Sequence, residues 1–98
     1  MAANPLPSLT PPVYIANAAT AVDIPVVAGQ CIDWENKTSI PIHIVVQPLN
    51  GIYPLTVNDF RVPVGSFENG VLPNTPPGNY PFTRGIAEGG GKIVVQPG

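Results

Sequence analysis

Residues 31–47 read CIDWENKTSIPIHIVVQ, which are two strand-forming runs separated by a turn. In the first run Ile32 and Trp34 alternate with Asp33 and Glu35, so one face is apolar and the other is polar. The turn is 36–39, and the second run, 40–47, is the most apolar in the chain. This pattern predicts two β-strands with Trp34 on the buried face.

Short segments of the same kind lie on both sides of this stretch. Strands are predicted over 13–18, 22–27, 60–64, 78–85 and 91–96, and Pro25 places its strand at a sheet edge or a bulge. Asn50-Gly51 is the best type I′ turn signal, while 65–77 and the glycine-rich 88–91 are predicted as connections. The fold class predicted is all-β, a single Greek-key β-sandwich of about seven to eight strands, which we expect to be antiparallel.

Length and composition restrict the organisation and the partners. The 98 residues suit one domain, over 13–98, preceded by a Pro-rich N-terminal arm at 1–12. The 14 Pro and 10 Gly residues separate apolar, β-branched segments, which favours a turn-rich sandwich over a low-complexity chain. Only 10% of residues are charged and the four cations are scattered, which predicts no nucleic-acid binding. No run reaches the roughly 18 apolar residues of a membrane span.

Two segments resemble the cupredoxins, the blue-copper family that includes plastocyanin, amicyanin and pseudoazurin. The first is 29–36 followed by 40–46, in which an aromatic residue, an Asn and a Pro-containing apolar strand follow a turn glycine. The second is 77–84 followed by 91–95, which is similar to the family's Pro-Gly-x-Tyr-x-Phe-x-Cys segment and closing Gly-Lys strand. The resemblance implies a cupredoxin-like sandwich with a tyrosine corner at Tyr80.

The same resemblance implies that the copper ligands are missing. The positions of the first His and of the thiolate fall on Ile42 and Arg84, the second His falls near Ala87, and the axial Met has no counterpart. His43 lies one residue late, on the other face of its strand. We therefore expect a copper-free domain with no metal or cofactor, in which Arg84 hydrogen-bonds loop carbonyls or pairs with Glu88.

The remaining candidate residues have ordinary structural interpretations. His43 is a candidate metal ligand or pH switch, but a lone His in an apolar strand more often faces solvent or takes one hydrogen bond. Cys31 has no cationic neighbour, so a semi-buried, inert thiol is favoured. Asp59 and Glu88 are not paired at any fixed spacing, and hydrolase and phosphate-loop motifs are absent. The sequence predicts no catalytic, cofactor-binding or metal site, and no enzyme.

Three function classes stay open. The leading hypothesis is a non-catalytic structural or protein-interaction module that binds a protein partner or forms a homo-oligomer. One alternative is a degenerate metal-binding or electron-transfer cupredoxin that uses His43, Cys31 or Glu88, and another is a small-ligand or carbohydrate binder that uses Tyr53 and Phe67. The resemblance favours a secreted or periplasmic location, whereas residues 1–5 carry no signal-peptide features, so the compartment stays open.

Overall fold

The computed structural model describes residues 12–85 and 88–97, without the side chains of 88 and 89. That part of the chain contains eight strands and no helix. It therefore includes no helix that could cross a membrane. The predicted arm falls almost entirely on residues 1–11, which lie outside the described residues. The strands are β1 (Tyr14–Asn17), β2 (Asp23–Val27), β3 (Cys31–Asn36), β4 (Ile42–Val46), β5 (Asp59–Val62), β6 (Gly65–Gly70), β7 (Gly78–Arg84) and β8 (Glu88–Gln96).

The strands form two sheets that pack into a sandwich. Sheet A has the order β1-β3-β6, and sheet B has the order β2-β8-β7-β4-β5. The prediction of an all-β sandwich with seven to eight strands is confirmed, whereas the Greek-key assignment stays a prediction. Pro25 lies in β2, at an edge of sheet B, as its missing N–H donor requires.

The expectation of purely antiparallel sheets is wrong. β1 runs parallel to β3, and β2 runs parallel to β8, while β3–β6, β4–β5, β4–β7 and β7–β8 are antiparallel. The reason is that the turn after β1 leads the chain across to the other sheet. Two reversals, one after β1 and one after β2, bring the chain back into sheet A in its original direction. β3 therefore lies beside β1 as a parallel neighbour.

The core lies between the sheets and is centred on Trp34. Its indole ring is fully buried, edge-on to Phe82 with ring centroids 5.5 Å apart and tilted against Phe60 at 5.3 Å. Its Nε1–H donates to Oδ1 of Asn69 at 2.9 Å, so the buried indole dipole is satisfied. The prediction that Trp34 lies on the buried face of its strand is confirmed.

Two predicted connections are strands instead. Residues 65–70 were expected in a loop, but they form β6, because their backbone pairs with β3 although the segment lacks β-branched residues. The glycine-rich 88–91 belongs to β8, where a bulge opposite β7 changes the register between Phe82 and Arg84. A Cβ at Gly90 would overlap the carbonyl of Phe82, and one at Gly91 that of Val22, so these glycines allow the close approach of neighbouring strands.

Two local predictions hold. Asn50 and Gly51 have φ values of 53° and 79°, and Leu49 and Ile52 exchange backbone hydrogen bonds, which is a type I′ hairpin turn. Tyr80 is fully buried, and its hydroxyl donates to the carbonyl of Pro76 at 2.6 Å, four residues upstream. That contact is a tyrosine corner, and burial raises the pKa of the Tyr80 hydroxyl.

Candidate functional site

One end of the sandwich, which we call the apolar end, carries exposed apolar residues on three separate loops. These residues are Val22, Ile40 and Val64, whose exposed fractions are 64%, 66% and 58%. Each residue comes from a different loop, and the strand register explains why the loops meet. β1 and β3 end side by side because they are parallel, and β6 begins opposite Asn36 at the end of β3. Three loops that are distant in sequence therefore share one end of the fold.

Arg84 holds the loop between β1 and β2 at this end. The guanidinium is buried, with 9% of the residue exposed, and it donates from Nε to the carbonyl of Ala18 at 2.7 Å and from Nη2 to that of Ala21. It also lies over the Phe82 ring, 5.3 Å from the centroid. The prediction that Arg84 hydrogen-bonds loop carbonyls is confirmed, while the suggested pairing with the Glu88 side chain lies outside the described atoms.

Asn36 holds the second loop, between β3 and β4. Its buried side chain donates from Nδ2 to the carbonyls of Ile40 (2.8 Å) and Val62 (3.0 Å). Its Oδ1 accepts from the backbone N–H and the hydroxyl of Thr38. Buried amides with several partners constrain local backbone geometry, because each lost partner leaves a polar group without water. The position of Ile40 is thus set by a network that reaches from β3 to β5.

A shallow groove of about 250 Å³ lies beside this surface. Its lining is mainly apolar and includes Ala19, Ile40, Pro41, Ile42, His43, Arg84 and Gly85. Ile42 and Arg84 occupy the two positions at which the cupredoxin resemblance would place metal ligands. An isoleucine cannot ligate, and a guanidinium keeps its positive charge, so the described residues of this groove suit apolar contact.

His43 lies on the outer face of sheet B. Its side chain is 34% exposed, and Nε2 lies 2.5 Å from Oδ1 of Asp59 on the neighbouring strand β5. The interpretation of His43 as a residue with one hydrogen bond is therefore confirmed. The ring and carboxylate form an exposed pair on a sheet surface, without the enclosed apolar pocket that acid–base chemistry uses.

Cys31 departs from expectation, because it is exposed and not semi-buried. It begins β3 and points to the outer face of sheet A, opposite Gly70, which has no side chain to cover the thiol. Cys31 and His43 consequently lie on the opposite outer faces of the sandwich, so one chain does not bring thiol and imidazole together. The described residues include no cluster of three His, Cys, Asp or Glu side chains suited to a metal ion.

The two aromatic residues suggested for ligand stacking have different environments. Tyr53 is exposed, and with Ile52 and Leu72 it lines a second groove of about 250 Å³ at the opposite end from the apolar end. Phe67 lies in β6, where it is half-buried and stacks on Phe60 with ring centroids 5.1 Å apart. The expectation that Phe67 is a loop residue is wrong, so the proposed aromatic pair is reduced to Tyr53.

Sequence reasoning did not single out Val22, Ile40 or Val64. All three looked like ordinary strand residues or strand flanks, and Ile40 and Val64 each adjoin a proline. The signal that could have marked Ile40 is its position before Pro41, because Pro has no N–H to donate to a sheet and often stands at the start of a strand. Comparison with protein-family models, curated proteins and solved structures gives no match.

Proposed function

We propose that this chain is a non-catalytic structural and protein-interaction module that self-assembles through the apolar end of a cupredoxin-like sandwich. The observation that carries the proposal is that Val22, Ile40 and Val64, on three loops at one end of the sandwich, are each more than half exposed. Single exposed apolar residues are ordinary in soluble proteins, but several of them on neighbouring loops at one end favour an interaction site.

The support for a docking role comes also from the rigidity of this end. Arg84 fixes the carbonyls of Ala18 and Ala21, and Asn36 fixes the loop that carries Ile40. Association costs free energy when loops must become ordered, and a surface that is already ordered avoids much of that cost. Two loops of the apolar end are thus held in place before association.

A second copy of this chain is the occupant that the charges favour. Lys37 lies 3.9 Å from Glu35, and Lys92 lies 3.9 Å from Asp23, so the ion pairs flanking this end carry both signs. The charge of Arg84 is buried against carbonyl oxygens. As far as the described side chains go, two identical ends can therefore meet about a two-fold axis without unbalanced like charge, while the apolar side chains leave water.

The cupredoxin relationship remains part of the proposal. It is supported by the two resembling segments, which cover β3–β4 and β7–β8, and by the tyrosine corner at Tyr80. Copper chemistry is not proposed, because Ile42 and Arg84 stand at the ligand positions. In this account Arg84 takes over the loop-fixing role that a metal would have had.

Sedimentation velocity over a concentration series tests the proposal. We expect the wild-type chain to associate reversibly and Ile40→Asp to associate less, because a carboxylate would be buried at the interface without a partner. Ile52→Asp is the matched control, since Ile52 is exposed on the hairpin at the other end. If Ile40→Asp sediments like the wild type at every concentration, the apolar end is not the interface.

A further inference from the structure

The outer edge of β1 is open in the described part of the chain. β1 lies at the edge of sheet A, and the N–H of Ala18, just after β1, donates to the carbonyl of Glu35 in β3 at 2.7 Å. Backbone groups alternate in direction along a strand, so those of Ala16 face β3 while those of Ile15 and Asn17 face away. In the described strand order β1-β3-β6, the backbone N–H and C=O of Ile15 therefore face the side of β1 that has no neighbouring strand.

The other three edge strands carry features that hinder pairing with another chain. β2 contains Pro25, β5 contains Asp59 and Arg61, and β6 contains Glu68 between glycine ends. Proteins use proline and charged side chains to prevent edge-to-edge association. β1, with the sequence Tyr-Ile-Ala-Asn, has none of these, and the Ile15 side chain is 61% exposed.

We infer that two copies of this chain pair through β1, antiparallel, about a two-fold axis at Ile15. This inference rests on the proposed self-assembly and names a second interface for it. In this register Ile15 of each copy exchanges two N–H···O bonds with Ile15 of the other. The N–H of Asn17 then donates to the carbonyl of Val13 in the second copy. The edge is complementary to itself because it is uncharged and presents a donor and an acceptor at its centre.

The charges on sheet A do not oppose this pairing. Asp33 of β3 is paired with Ile15 in the strand register, so its carboxylate lies one strand further than Ile15 from the two-fold axis. The two copies of Asp33 would be three strand spacings apart, about 14 Å, which exceeds the Debye length of about 8 Å at physiological salt. A four-residue edge buries less than about 1,200 Å², so the dimer should be weak and reversible.

Two interfaces on one chain have a consequence for assembly size. If β1 pairs with β1 and the apolar end with the apolar end, each copy links two neighbours. The wild-type chain should then form species larger than a dimer as its concentration rises. Ile15→Pro should stop at dimers made through the apolar end, and Ile40→Asp should stop at dimers made through β1. The double variant should be monomeric.

Ile15→Pro is a selective variant because the N–H that it removes faces away from β3, the strand beside β1 in sheet A. Proline is tolerated at an edge position whose N–H faces away from the sheet, and the Ile15 side chain contributes little to the core. Its denaturant midpoint should therefore match that of Ile15→Ala, which keeps the N–H. Ile15→Ala should retain the β1 dimer with weaker affinity. Ile52→Ala serves as a control for loss of an exposed apolar side chain at the other end.

The closing experiment combines sedimentation with amide hydrogen exchange of Ile15. The inference expects exchange of the Ile15 amide to slow as wild-type concentration rises, and assembly of Ile15→Pro to be limited to dimers. It is overturned if Ile15→Pro assembles like the wild type, or if the wild type stays monomeric. It is also overturned if the Ile15 amide is protected in the monomer, because the edge is then covered within one chain. If the wild type dimerises but Ile40→Asp is monomeric at every concentration, the interface at the apolar end stands and the β1 interface does not. That result would leave the proposed function intact and remove this inference.

Discussion

Trp34→Ala should lower the free energy of unfolding by about 4–5 kcal/mol. The indole is fully buried between the sheets, and its removal takes away roughly 150–200 Å² of buried apolar surface. Each Å² of such surface contributes about 25 cal/mol to the free energy of unfolding. The measured range for Trp→Ala in protein cores, about 3–5 kcal/mol, agrees with that figure. A domain of this size has only about 5–15 kcal/mol in total, so the variant should be close to unfolding.

The assay is urea denaturation followed by far-ultraviolet circular dichroism, because the chain has a single Trp and the variant loses its fluorescence. Tyr53→Ala is the matched control. Tyr53 is an exposed aromatic residue, and its removal should change stability by less than about 0.5 kcal/mol. A loss below about 1 kcal/mol for Trp34→Ala would refute the assignment of Trp34 to the centre of the core.

A milder variant covers the case in which Trp34→Ala fails to fold. Trp34→Phe keeps an aromatic ring against Phe60 and Phe82 but removes the donor to Asn69 Oδ1. A double-mutant cycle with Asn69→Ala should give a coupling energy of about 0.5–1.5 kcal/mol, the net contribution of a neutral buried hydrogen bond. A coupling energy near zero would mean that the Trp34–Asn69 bond does not contribute to stability.

Two further predictions concern Arg84 and Tyr80. Arg84→Met should lower the free energy of unfolding by about 1–3 kcal/mol and speed amide exchange over 18–22, because two loop carbonyls lose their charged donor. Arg61→Met, at an exposed arginine, is the control. Equal exchange rates in the two variants would contradict the role of Arg84. Tyr80→Phe should cost about 1 kcal/mol through loss of the bond to Pro76. Because burial raises the folded-state pKa of Tyr80, its contribution is complete below the unfolded pKa of about 10 and is lost as pH rises through the folded value. Urea midpoints measured from neutral to alkaline pH should therefore fall less steeply in Tyr80→Phe, and identical slopes would count against a buried neutral phenol.

The alternation of apolar and polar residues was sufficient to predict a strand that has one buried face. The bounds of β3 follow from Ile32 and Trp34 alternating with charged residues, and they agree with the structure. β6 was missed because GSFENG has no such pattern, and its conformation comes from pairing with β3, which is a tertiary effect. The start of β8 was missed because glycines usually indicate a loop, whereas here they permit a bulge and close strand approach.

The surface proposed for self-assembly was harder to predict from the sequence. The role of Arg84 as a loop anchor was anticipated, but its acceptors, Ala18 and Ala21, lie 66 and 63 residues away and carry no side-chain signal. Val22, Ile40 and Val64 lie at the same end of the fold because β1 and β3 are parallel and β6 begins beside the end of β3. Parallel pairing depends on which sheet each strand joins, and no local pattern encodes that choice.

The central claim is that this chain acts through its surface and not through a copper centre, and a Cu(II) titration of the reduced protein at neutral pH tests it most directly. A blue-copper site needs a thiolate and two imidazoles on one ion, whereas the chain has one Cys and one His, on opposite faces of the sandwich. We predict no intense visible band and no narrow-hyperfine copper signal in the magnetic resonance spectrum. An intense thiolate-to-copper band that disappears in Cys31→Ser would contradict the account.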